Sequence, residues 1–139
     1  MTRTWAAPLL PLLLLVCGCA GDDRCEVSGT VTLKGKSLDQ GTIMFVPLDT
    51  ETGTQASAQI IDGAFRFPKE DGLRPGKYRV AISSPDGKTP DPDAATDALP
   101  GPSGNFSSKD RIPAKFNTNS EVEVEVVKGK VNTFDFPIP

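Results

Sequence analysis

From Cys25 onward the chain is written in short runs whose apolar positions recur every second residue. In Cys25–Leu33, Val27, Gly29, Val31 and Leu33 share one side, with Glu26, Ser28, Thr30 and Thr32 opposite. That period of two predicts a strand with one face in the core and one in water. Thr42–Leu48 comes next, β-branched and aromatic, with Ile43 and Phe45 set against Met44 and Val46; Pro47, which lacks an N–H, bars its far end from a central position. Thr54–Ile61 carries Ala56, Ala58 and Ile60 as its inner set, and Asp62-Gly63 is a hairpin signal leading into Ala64–Phe67 with Phe65 and Phe67 on one face. Gly72–Ser83 opens with Pro75-Gly76, the residue types of a type II turn, and continues with Tyr78, Val80 and Ile82 against Lys77, Arg79 and Ala81. Glu121–Val127 alternates Val122, Val124 and Val126 with three glutamates, and Val131–Ile138 closes the chain with Phe134, Phe136 and Ile138 inward. Seven short strands with turn signals between them, and no helical period, predict an all-β sandwich.

Two stretches break the pattern. Pro85 to Arg111 holds five prolines, Asp86, Asp91, Asp93, Asp97 and Asp110, and only Leu99 and Phe106 as sizeable apolar residues. A loop of this length inside a small domain is normally functional, disordered, or both. It is the expected interaction surface, with Leu99, Asn105 and Phe106 as its candidate contact residues. The other is the start of the chain: Arg3, then an apolar run from Ala6 to Val16 interrupted by Pro8 and Pro11. The run is well short of the roughly 20 residues of a membrane-spanning helix and has the length of a signal-peptide core.

The end of that run and the residues after it, Val16-Cys17-Gly18-Cys19-Ala20, resemble the lipobox of bacterial lipoproteins, in which cleavage precedes a cysteine that is then lipidated. The resemblance implies a signal peptide over residues 1–18, lipid on Cys19, and a tether over residues 19–24 before a domain spanning 25–139. It implies a membrane partner reached through that lipid and a place in the cell envelope, with Ala20 favouring the outer over the inner membrane. One acyl chain anchors only marginally, so stable attachment needs the two or three chains the family carries.

Further along, Val27-Ser28-Gly29-Thr30-Val31-Thr32-Leu33-Lys34-Gly35-Lys36-Ser37-Leu38 with Gly41-Thr42-Ile43-Met44-Phe45 resembles the opening of carboxypeptidase-regulatory-like, prealbumin-like domains. Asp62-Gly63-Ala64-Phe65 and Leu73-Arg74-Pro75-Gly76-Lys77-Tyr78-Arg79-Val80 are similar to further elements of that family. Ile112-Pro113-Ala114-Lys115-Phe116-Asn117, with Ser120, is similar to a segment of small bacterial lipoproteins with this fold. The resemblance implies a seven-stranded, Ig-like or prealbumin-like antiparallel β-sandwich carrying one long Pro/Asp/Gly-rich loop, residues 85–111. Ser37 and Phe116 stand where the family often has Pro and Tyr. The matched residues are turns and core positions, with Pro75, Gly76 and Tyr78 as the fold-specifying corner; they carry no activity.

Composition narrows the chemistry. The chain has no histidine, a net charge of −3, and three cysteines. Without histidine there is no Ser-His-Asp or Cys-His catalysis and no His-ligated metal. The expectation is a protein that is not an enzyme and takes no cofactor. Mild acidity without a basic cluster argues against nucleic acid as a partner. With Cys19 lipidated and Cys17 removed, Cys25 has no partner for a disulfide and reads as a small buried or edge residue. Asp86, Asp91 and Asp93 are the carboxylates closest to a calcium-ligand set, but their spacing fits no EF-hand loop, and no metal site is expected. The single tryptophan, Trp5, lies in the signal region. These points predict a lipid-anchored envelope protein with a structural or protein-interaction role, with an unknown envelope protein or polysaccharide as its partner. The alternative is an envelope ligand-binding module for polysaccharide or calcium.

Overall fold

A computed structural model describes residues 23–49, 51, 53, 55–90 and 108–139. The strands are β1 (Val27–Leu33), β2 (Lys36–Ser37), β3 (Gln40–Pro47), β4 (Ala56–Ile61), β5 (Ala64–Phe67), β6 (Gly76–Ser83), β7 (Pro85–Pro90), β8 (Ser108–Asp110), β9 (Glu123–Val126) and β10 (Asn132–Ile138). The described residues hold no α-helix, only two single-turn 3-10 segments at Lys69–Asp71 and Ala114–Phe116. The protein is all-β, with one curled, mostly antiparallel sheet in the order β10-β1-β5-β4-β3-β6-β9, to which β2 adds beside β1.

The sheet is two blocks of pairing joined at a narrow seam. β10-β1-β5 is paired over seven residues and then four, and β4-β3-β6-β9 over six, six and four. Between the blocks, β4 meets β5 only at Ile61 and Ala64. That contact is the Asp62-Gly63 hairpin, whose φ values of 51° and 81° are those of a type I′ turn, favoured because its twist matches that of the flanking strands. The two turn residues also bond to a neighbouring loop: Gly63 N–H donates to the Leu38 carbonyl at 2.6 Å and Asp62 N–H to that of Asp39 at 2.9 Å. A second such turn, Lys34-Gly35, folds β2 back on β1.

Because the backbone link is so narrow, side chains hold the blocks together. Phe45 on β3 contacts Phe67 edge-on, with centroids 5.3 Å apart, and lies 6.1 Å from Phe65, 6.2 Å from Tyr78 and 6.4 Å from Phe134. Such pairs add about 0.5–1.5 kcal/mol each beyond the area they bury. Val27, Val31, Phe136 and Ile138 from one block join Ile43, Ile60, Val80, Ile82 and Val126 from the other in the same buried cluster.

Three expectations change. β10 runs parallel to β1, from Val27 opposite Asn132 to Leu33 opposite Ile138, so the sheet is not wholly antiparallel. The last strand leaves the turn after β9 at the end of the sheet where β1 begins, and therefore points the same way. Gly29 permits the close approach, since a Cβ there would come within 1.8 Å of the Phe134 carbonyl oxygen. Second, the expected loop 85–111 is structured at both ends, where β7 and β8 pair with each other and with no other strand. Third, Pro75-Gly76 is a bend and not a type II turn. Gly76 sits at φ 152°, far from the value near +80° of such a turn, because it already pairs with Val126 in the ladder. The Arg74 carbonyl, which a type II turn would offer to the Lys77 N–H, instead accepts from the Tyr78 hydroxyl at 2.9 Å. Tyr78 is 1% exposed. Burial pushes its hydroxyl above the usual tyrosine range. Pairing of β3 with β4 stops at Phe45, two residues before Pro47, so the missing N–H faces no central-strand partner.

Tyr78→Ala is expected to lower unfolding free energy by about 3–5 kcal/mol, as for a buried aromatic. Tyr78→Phe, which loses only the bond to Arg74, should cost about 1 kcal/mol. Urea unfolding of both variants checks the pair; equal losses would mean that the hydroxyl, not the ring, secures the corner.

Candidate functional site at the base of the long segment

The residues that flank the long segment converge on one carboxylate. β6 ends at Ser83, Ser84 comes next as a fully buried residue, and the returning β8 ends at Asp110. Asp110 Oδ1 accepts from the backbone N–H of Ser84 at 2.9 Å and of Ile112 at 2.8 Å. Its Oδ2 accepts from Ser83 Oγ at 2.5 Å and from Asn117 Nδ2 at 2.7 Å. Two oxygens with two donors each fill the acceptor capacity of a carboxylate. One side chain thus ties the outgoing strand, the returning strand and the 3-10 turn at Ala114–Phe116.

Arg111 makes a second tier. Its Nη2 donates to Asp39 Oδ1 at 2.7 Å, Ser84 Oγ at 2.6 Å and the Gln40 carbonyl at 3.3 Å, while its backbone N–H donates to the Ser84 carbonyl at 3.0 Å. Ser84 Oγ in turn donates to the Gln40 carbonyl at 2.6 Å. The Arg111 guanidinium beside Asp39 holds that carboxyl below its usual range. Gly41 leaves room for this packing, because a Cβ there would lie 2.7 Å from the Ser83 carbonyl oxygen. Among the described residues no buried side-chain nitrogen or oxygen lacks a partner. Chemically the arrangement is a clamp: a hydroxyl next to a carboxylate, with that carboxylate already spent on three other donors.

Lower on the body, Ser120 Oγ donates to the Val80 carbonyl. Asn132 closes the turn between β9 and β10, accepting from Val127 N–H at 2.8 Å and donating to the Lys130 carbonyl at 3.1 Å.

The expected site residues scatter. Asp86 is at the start of β7, where its Oδ1 accepts from Lys88 N–H at 2.9 Å. Cys19, Asp91, Asp93, Leu99, Asn105 and Phe106 lie outside the described residues. Pro75, Gly76 and Tyr78 sit together at the opposite end of β6 from the clamp. Cys25 is a buried free thiol, bridged through its backbone to Leu73. Among the described residues no group of three or more His, Cys, Asp or Glu is placed to hold a metal. Ser83, Ser84, Asp110 and Arg111 were not singled out by sequence as a unit. The available signal was positional, since polar pairs stand at both boundaries of the one long loop. An open depression of about 540 Å³ lies on the outer sheet face, lined by Ser28, Thr30, Gln59, Ile61 and Thr133.

No protein-family model, curated protein or solved structure matches the chain.

Asp110→Ala strands two backbone donors and should destabilise the protein by about 2–3 kcal/mol. It should also speed proteolysis within residues 85–111; unchanged unfolding and cleavage would show that the clamp carries no load. For Asp39 the sign is fixed by its lowered folded value. Its contribution is present above the ordinary carboxyl range near about 3.9 and is lost as pH falls through the folded value. Asp39→Asn should therefore flatten the fall of melting temperature between about pH 5 and pH 2, slightly and less so at high salt, because the pair is exposed.

Proposed function

We propose that the chain is a lipid-anchored, non-enzymatic lipoprotein of the cell envelope, with lipid on Cys19, a structural or protein-interaction role, and the 85–111 segment as its contact surface. The finer fold in this reading is a prealbumin-like sandwich. Two pairing blocks that meet at one residue pair and share a single aromatic core support it. The apolar run ahead of Val16-Cys17-Gly18-Cys19 supports the anchor.

The observation that carries the role is the Asp110 clamp. A segment without function on a small domain needs no such base. Here a carboxylate with four donors, a buried serine and an arginine with three acceptors are committed to holding the two ends of one insertion. Among the described residues β7 and β8 pair only with each other, so the two ends of the insertion leave the main sheet as a separate ribbon. The polar groups at its base are occupied by one another, which suits presentation of a segment rather than turnover of a substrate. The expected partner is another envelope component that reads this segment.

Replacing residues 91–107 by a short Gly-Ser link, with β7, β8 and Asp110 retained, tests the reading in the anchored chain. The unfolding midpoint should stay within the parent's range, while envelope proteins recovered by crosslinking to the parent should be lost. Recovery of the same partners by the shortened chain would overturn it. In the same preparation Cys19→Ala should move the protein out of the membrane fraction.

A further inference from the structure

The sheet has two distinct ends. β1, β4, β6 and β10 start, and β3, β5 and β9 finish, at the end that carries Asp23–Glu26, the Lys69–Asp71 turn, the Arg74–Gly76 bend and the Lys128–Lys130 turn. The clamp, the β7–β8 ribbon and the Lys34-Gly35 and Asp62-Gly63 turns lie at the other. Between Cys19 and Asp23 there are only four residue steps, a reach of about 14 Å when extended.

The tether end is unusual in two respects. Two cavities flank the incoming chain and share Arg24: one of about 410 Å³ with Arg74, Asp71 and Tyr78, and one of about 310 Å³ with Lys69, Lys128 and Lys130. Five cations line them against Asp23, Glu26 and Asp71, and of these acids Asp23 is paired with Lys128 and Glu26 with Arg66. The excess of cations, five against three acids, belongs to the cavity linings themselves; Glu70, and Asp49 and Glu51 after β3, lie at the same end outside those linings. Second, the exposed large apolar side chains among the described residues are Leu48, Ile61 and Val131, and two of the three are here. Val131, 91% exposed, comes directly after Lys130, and Leu48 donates its N–H to the Lys77 carbonyl beside the bend. Cations around cavities with isolated apolar side chains between them suit the phosphate and glycerol layer of a bilayer.

We propose that this tether end is a membrane-facing surface that seats the phosphates of anionic lipid headgroups in its two cavities and stands the domain upright, with the β7–β8 ribbon directed away from the bilayer. The proposal rests on the reading of Cys19 as the lipidated residue. It adds an oriented contact to what would otherwise be a domain tumbling on a short tether.

The full lipidated chain, reconstituted in vesicles of phosphatidylcholine alone or mixed with phosphatidylglycerol, provides the test. A fluorophore is placed at Glu70→Cys or at Lys36→Cys, since Cys25 is buried, and is quenched by a lipid-borne quencher. Glu70→Cys should be quenched several-fold more than Lys36→Cys, more so with phosphatidylglycerol, and Lys69→Glu with Lys130→Glu should remove that increment. Equal quenching at the two positions, or no response to phosphatidylglycerol, would overturn the proposal. Retention of the chain on vesicles is measured first: its loss marks failure of the Cys19 reading, whereas equal quenching on retained chain marks failure of this one.

Discussion

Phe45 stands where the structure has least backbone to rely on. The two pairing blocks share one residue pair, Ile61 with Ala64, so the ladder alone would leave them hinged. Phe45 belongs to the four-stranded block, yet its ring lies against Phe65, Phe67 and Phe134 of the other, with Tyr78 of its own block closing the cluster. The body is one unit because these rings and the aliphatic residues around them are buried together, and that burial is the dominant favourable term in folding. The Asp62-Gly63 turn sets the direction of the fold-over, and the core sets its closure.

The same separation of labour places the clamp. Tyr78 begins β6 in the core and Ser83–Ser84 ends it at the Asp110 carboxylate, so one strand links the aromatic cluster to the base of the insertion. Among the described residues the ribbon contributes no side chain to the buried cluster, and polar contacts hold its foot. Polar networks of this kind are valuable only when every member is satisfied, and around Asp110 each acceptor has its donor.

Much of this was legible in the residues. Period-two alternation marked seven of the eight strands of the main sheet to within a few positions, all but the two-residue β2, and Asp62-Gly63 marked its one tight seam. Two features were not. The parallel pairing of β10 with β1 depends on where the chain travels after β9, which no local pattern encodes. The clamp brings Asp39 and Ser84 to Asp110, Arg111 and Asn117 from far along the chain, and all of them look like ordinary loop polars until the fold collects them. Pro75-Gly76 shows the reverse case. The pair suggested a standard turn, and the ladder and the Tyr78 hydroxyl claimed its backbone instead.

A body closed by side chains across a narrow seam, with its insertion tied in through Asp110, should open as one cooperative unit. Native-state hydrogen exchange reads this directly. The account predicts that the Val31 and Val80 amides, one in each block, exchange only with global unfolding, and that the Ser84 and Ile112 amides bonded to Asp110 approach the same protection. Loss of protection in one block alone, or exchange of Ser84 and Ile112 at the rate of exposed loop amides, would contradict it.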